Sequence, residues 1–221
     1  IESGHDGRLH MAIECHSCFE WLMPAINAFR EQWPDVEIDL TTSFHFEPQA
    51  ALRRGDIDLV ITSDPSADNL LSHTPLFRYQ SVLALANQHP LANEQHIKPE
   101  HLRDETLIHY PVDRKRLDIF EYFLNEDGVE PAATRQTELT LMMIQLVASG
   151  RGVACLPSWA LQNYLDAGLV SMLPLGQDGV WPTLYAAYRK DQSESHYLQD
   201  FIRIAIDSCF NTLPGISPAK T

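Results

Sequence analysis

The chain has 221 residues, 44% of them hydrophobic and 21% charged, a composition that fills an ordinary core and excludes a disordered polymer. Its net charge of −14 excludes a grip on nucleic acid by these residues, because phosphate binding needs clustered Lys and Arg. No apolar run approaches the roughly 20 residues that span a bilayer.

The opening Ile1-Glu2-Ser3-Gly4-His5-Asp6-Gly7 has no Met and no leader pattern, and reads as a cut inside a longer protein. Residues 8–13 form an apolar run that ends in the polar cluster Glu14-Cys15-His16-Ser17-Cys18. Phe19, Leu22, Met23, Ile26, Phe29 and Trp33 then recur at helical spacing, predicting one buried face over residues 19–33. Pro24 is tolerated only in the first turn and otherwise kinks the helix, and Pro34 stops it. A second apolar run, residues 36–40, ends in Thr41-Thr42-Ser43. Pro48 opens a short helix to Arg54, with Gly55 just past its end. A third run, residues 58–61, ends in Thr62-Ser63-Asp64. Strand, helix, strand in this rhythm predicts βαβ units and a parallel sheet. Ligands of open α/β sheets sit at the carboxyl ends of the strands, where all three polar clusters fall.

Residues 81–86 predict another strand, closed by Asn87-Gln88-His89-Pro90-Leu91-Ala92. The rhythm then restarts with a strand at residues 106–110 and a helix at 114–127 that carries Leu117, Phe120, Phe123 and Leu124 on one face. A second helix, residues 138–149, places Leu139, Met142, Met143, Leu146 and Val147 together, and Gly150 fits its left-handed cap. Residues 153–156 form a buried strand, Ser158 caps a helix to Ala167, and strands follow at 169–173 and 184–188. Residues 196–210 form a final helix, and the Pro- and Gly-bearing stretch 213–221 reads as a frayed tail. The rhythm runs, stops near Ala86 and runs again. This predicts an α/β protein of two Rossmann-like lobes joined by two crossing strands, residues 1–85 with 188–221 in the first and 86–187 in the second, with a binding cleft between them.

Several of these segments, in this order, resemble the effector-binding domain of LysR-type transcriptional regulators. They are Gly7-Arg8-Leu9-His10-Met11-Ala12-Ile13, Pro24 through Phe29 to Trp33-Pro34, Gly55-Asp56-Ile57-Asp58-Leu59-Val60, His89-Pro90-Leu91-Ala92, and Gly150-Arg151-Gly152-Val153-Ala154 to Leu156-Pro157. Glu14-Cys15-His16-Ser17-Cys18, Ile108-His109-Tyr110-Pro111-Val112 and Leu184-Tyr185-Ala186-Ala187 are similar to the branch of that family that controls methionine biosynthesis. The resemblance implies a fold like the type II periplasmic binding proteins, homocysteine as effector and no cofactor. It also implies a winged helix-turn-helix domain ahead of Ile1 as the DNA-binding part, a cytoplasmic location without membrane contact, and side-by-side homodimers of this domain within a homotetramer. The helix at 19–33 and the segment 139–149 are the candidate pairing surfaces.

Homocysteine offers a carboxylate, an ammonium and a thiol. The carboxylate suits backbone N–H groups at a helix start together with hydroxyls, which the loop Cys15-His16-Ser17 supplies, with Ser43, Thr62 and Ser63 from neighbouring strand ends; Ser17 equally serves as a plain helix cap. Glu14, Asp64 and Glu138 are candidates for the ammonium, each also readable as a surface charge. By resemblance the second lobe contributes His109 and Tyr110, His109 being as readily a core side chain bonded to backbone. Thr137 either caps the following helix or reaches the cleft, and Met142 and Met143 read as core.

Two other readings stay open. One is an extracytoplasmic amino-acid-binding protein with the same bilobal fold, against which the cut-looking start and the four cysteines (Cys15, Cys18, Cys155, Cys209) without disulfide spacing count. The other is a thiol redox protein using Cys15 and Cys18, a pair placed after a strand and at a helix start. A metal on Cys15, His16 and Cys18 lacks a fourth ligand at a usual spacing. No catalytic set and no phosphate loop is readable, so no enzyme is expected.

Overall fold

The computed structural model describes residues 7–14, 18–41 and 47–219. The elements in chain order are β1 (Gly7–Ile13), α1 (Phe19–Gln32), β2 (Val36–Thr41), α2 (Pro48–Arg54), β3 (Leu59–Thr62), β4 (Leu71–Tyr79), β5 (Ser81–Leu85), β6 (Thr106–His109) and β7 (Ala133–Gln136). They continue with α3 (Thr140–Ala148), β8 (Val153–Pro157), α4 (Gln162–Asp166), β9 (Ser171–Pro174), β10 (Thr183–Arg189), α5 (His196–Thr212) and β11 (Ile216–Ser217). The chain divides into two compact units, Ile1–Arg78 with Thr183–Thr221 and Tyr79–Pro182. These divisions lie seven and five residues N-terminal to 85/86 and 187/188, the divisions read from the sequence. β5 pairs only within the second sheet and β10 only within the first, so pairing partners rather than composition set the division.

The first unit holds a sheet in the order β11-β4-β10-β3-β1-β2. β1 pairs in parallel with β2 and β3, and β10 runs antiparallel between β3 and β4. The expected βαβαβ rhythm is present, and its helices bury Trp21, Leu22, Ala25, Ile26 and Phe29 of α1 and Ala51 and Leu52 of α2. The α1 face differs from the expected one: Phe19 and Met23 are exposed, and Trp21 and Ala25 are buried in their place. Both α5 and the sheet draw the stripe round toward themselves. Phe29 meets Phe201 of α5 edge-on at 5.4 Å between centroids, and Trp21 meets Phe77 of β4 at 5.8 Å. Pro24 sits inside α1 rather than in its first turn, so it leaves one backbone acceptor of that turn without its usual N–H. α2 has Pro48 in its first turn and Gly55 at its end with φ of 78°, a left-handed cap that glycine adopts without strain. The tail is not wholly frayed, since Ile216–Ser217 adds a short strand beside β4 after the turn at Gly215.

The second unit holds a sheet in the order β7-β6-β8-β5-β9. β6 runs parallel to β7 and β8, and β5 runs antiparallel to β8 and β9. Alternate residues supply two cores. Leu83, Leu85 and Leu107 face Phe120 and Leu124, whereas Val82, Ala84 and Ile108 face Met143, Ile144 and Val147. The strands read as unbroken apolar runs because both faces are covered. Gly152 precedes β8 with φ of 148°, and a Cβ there would collide with the Thr106 carbonyl oxygen of β6.

Two expected helices of this unit are shorter or broken. Residues 114–127 form a 3₁₀ turn at Arg114–Arg116 and a π-helical turn at Phe120–Leu124. Asp113 Oδ1 accepts the Lys115 N–H at 2.9 Å, which favours the tight turn, and Leu117 is extended. α3 begins at Thr140, two residues later than expected; Met143 is core but Leu139 and Met142 are exposed. Ser158 opens a 3₁₀ turn without capping it through its side chain, and the α-helix starts at Gln162. Among the described residues no helix is long and apolar enough to cross a membrane.

Candidate functional site

In the first unit the parallel strands β1 and β3 end side by side. The Glu14 N–H donates to the Ile61 carbonyl at 3.0 Å, so Glu14 and Thr62 are brought to the same sheet end. Thr62 is buried, and its Oγ1 accepts the Asp64 N–H at 3.0 Å, closing a turn two residues long. The Asp64 carbonyl also accepts from Gln49 Nε2 of α2 at 3.0 Å. Ser63 is half-buried beside this turn, and Asp64 is exposed. Thr62 is therefore first a turn former, and it presents the backbone of Ser63 and Asp64 at the strand tip. Cys15, His16, Ser17 and Ser43 lie outside the described residues.

In the second unit β6 and β8 end on one side of the sheet. The His109 carbonyl accepts the Thr137 N–H at 3.0 Å, so these two expected site residues do come together. His109 is half-buried, its Nδ1 lies 2.7 Å from the Tyr110 carbonyl oxygen, and its ring meets Phe120 edge-on. This is the backbone-bonded histidine that the sequence left open. The Tyr110 hydroxyl lies 2.7 Å from Thr140 Oγ1. Thr137 is half-buried, Glu138 is exposed, and neither begins α3, which starts at Thr140 with Leu139 as its N-cap.

Sequence reasoning missed a third group at this end. Asp118 Oδ2 accepts the Ser81 hydroxyl at 2.5 Å and the Tyr79 hydroxyl at 2.9 Å. The Tyr79 ring packs edge-on against Trp159 at 4.9 Å. Burial pushes the Asp118 carboxyl above the usual carboxylate range, while the two hydroxyls pull it back. Cys155 lies beside this group. Burial raises its thiol well above the ordinary range, and the Asp118 charge adds to the effect. The only sequence signal is a polar Ser81 opening an otherwise apolar strand.

Cys18 and Cys209 are buried. Among the described residues no group of three or more His, Cys, Asp and Glu is placed to hold a metal ion. What the described strand ends of each unit offer is hydroxyls, backbone N–H groups and carboxylates, groups suited to holding a small polar molecule.

The two sheets and their order define a fold of the type II periplasmic-binding-protein kind, as found in LysR regulatory domains. The profile of the LysR substrate binding domain matches residues 2–209, and the chain belongs to that family. It is 43% identical over 213 residues to the transcriptional regulator MetR of Salmonella typhimurium, a match covering 96% of this chain and 67% of that protein. MetR of Haemophilus influenzae is 40% identical over 217 residues, covering 98% of this chain and 70% of its own length. The solved regulatory domain of a MetR from N. meningitidis superposes with a TM-score of 0.90 at 40% identity, covering 98% of this chain and 100% of that one. These relatives are transcriptional regulators and not enzymes.

Proposed function

We propose that this chain is the effector-sensing part of a cytoplasmic transcription factor that controls methionine biosynthesis genes, and that homocysteine is its effector. The observation that carries the reading is the 43% identity to MetR over 96% of the chain. The strand-end chemistry supports it: a free amino acid needs donors for its carboxylate and an acceptor for its ammonium, and the loops after β1, β3 and β6 carry both. In this reading the carboxylate meets the Cys15-His16-Ser17 loop with Ser43, Thr62 and Ser63, and His109, Tyr110 and Thr137 complete the contacts. Binding biases two states of the domain only by the difference in affinity between them. The DNA-binding winged helix-turn-helix belongs to chain ahead of Ile1.

The domain pairs as a homodimer within a tetramer in this reading. Phe19 and Met23 on α1 are each 43% exposed, and Leu139, Leu141 and Met142 at the start of α3 are 62%, 55% and 49% exposed. Apolar side chains this open, on one helix of each unit, suit an isologous contact in which α1 of one copy meets α3 of the other.

The test is thermal unfolding of the purified chain with millimolar L-homocysteine or L-methionine. A ligand that binds only the folded state at about 100 times its Kd adds about 2.7 kcal/mol. Homocysteine is expected to raise Tm by several degrees and methionine to leave it unchanged. No shift with homocysteine overturns the effector assignment.

A further inference from the structure

We infer that Asp118 is the residue that receives the ammonium group of the amino-acid effector, an inference that rests on the function proposed above. Ser81 opens β5 opposite Pro157, the last residue of β8, so the Asp118–Ser81 pair lies at the carboxyl end of β8 and of its parallel neighbour β6. That end of the sheet is where α/β proteins hold ligands. Asp118 Oδ2 takes both hydroxyls, while Oδ1 makes no hydrogen bond or ion pair among the described residues, and the residue is half-buried rather than closed into the core. Ser158, the residue after β8, is buried with a hydroxyl that has no partner among the described residues.

The charge balance gives this arrangement its direction. Asp39, Asp58, Asp68 and Glu130 each pair with an arginine. Asp118 pairs with no cation among the described residues, although burial disfavours its anion. Two neutral hydroxyls orient the carboxylate and leave its charge uncompensated. An incoming ammonium supplies the missing positive charge and a charge-assisted hydrogen bond to Oδ1. Of the three acids that the sequence suggested for this role, Asp64 and Glu138 are exposed, where an ion pair gains little, and Glu14 is half-buried and serves as the comparison below.

The experiment is calorimetric titration of the wild-type chain, Asp118→Asn and Glu14→Gln with L-homocysteine and with 4-sulfanylbutanoate, which is homocysteine without its amino group. Asp118→Asn keeps the shape and an acceptor for the two hydroxyls. The wild type is expected to bind homocysteine at least about tenfold more tightly than the deamino analogue. Asp118→Asn should lose that preference while holding the analogue as the wild type does, and Glu14→Gln should keep it. If Asp118→Asn keeps the preference, or weakens both ligands alike, or if Glu14→Gln is the variant that loses it, the Asp118 assignment is overturned and the homocysteine reading stands. If the wild type binds neither ligand, the homocysteine reading falls and takes the assignment with it.

Discussion

The Tyr110 hydroxyl lies 2.7 Å from Thr140 Oγ1, and this one bond ties the loop leaving β6 to the first turn of α3. A bond between neutral groups of this kind is worth about 1 kcal/mol net. Tyr110→Phe and Thr140→Val should each lower stability by about that amount in urea unfolding. The double variant should lose little more than either single one, because both remove the same bond. Fully additive losses would show that the two side chains act independently.

Arg189 closes a comparable link in the first unit. Its Nη1 donates to the Leu52 and Ile57 carbonyls, both at 3.1 Å, and so binds β10 to the end of α2 and the start of the β3 segment. The side chain is 18% exposed and lies between Asp58 and Asp191. Arg189→Ala leaves two carbonyls without their donor and should cost about 2 to 3 kcal/mol in urea unfolding. Arg189→Lys should recover only part of this, since one ammonium does not reproduce the fork. A full recovery by lysine would assign the effect to charge alone.

The buried thiols set a pH dependence. Burial raises Cys155 and Cys209 in the folded chain, Cys155 also through the Asp118 charge. Unfolded thiols ionise near pH 8.5. Above that pH the unfolded chain holds fewer protons than the folded one, so stability falls as pH rises, by up to about 1.4 kcal/mol per pH unit for each thiol. Below it the two states hold the same thiol protons and this contribution is flat. Urea unfolding at about pH 7.5 and about pH 9.5 should show the loss, and Cys209→Ala should remove about half of it. A slope unchanged by Cys209→Ala would place the titration elsewhere.

The exposed apolar residues of α1 and α3 give the assembly prediction. Met23→Lys and Met142→Lys change side chains that are 43% and 49% exposed, so the fold should survive both. Each should weaken self-association by at least about tenfold in sedimentation velocity, as expected for a charge placed in an apolar contact. Unchanged association in both variants would remove these helices from the interface.

The parts of the fold that were legible in the sequence are those with local signals. The apolar runs ending in polar clusters gave β1, β2 and β3, and Pro48 with Gly55 bounded α2. β4 was unreadable because His73, Thr74 and Pro75 interrupt it; its register against β10 shifts at Leu184/Tyr185. β7 is exposed along its whole length and carries no apolar pattern, being an edge strand held by β6. In the site, the adjacency of His109 and Thr137 rests on β7 and was not readable, while that of Glu14 and Thr62 followed from the predicted parallel strands. The Asp118 group did not, because Tyr79 and Ser81 lie 39 and 37 residues away in sequence and only the fold joins them. The exposure of Phe19, Met23, Leu139 and Met142 was hidden for another reason: helical spacing marks an apolar face but does not say whether this chain or another covers it.

The central claim is that an amino acid is held at the carboxyl ends of the parallel strands, and hydrogen–deuterium exchange with and without L-homocysteine tests it most directly. The account predicts slower exchange at residues 62–64, 109–112 and 118–120, with the outward faces of α1 and α5 unchanged. Slowing confined to those helices, or no change anywhere at saturating homocysteine, would contradict it.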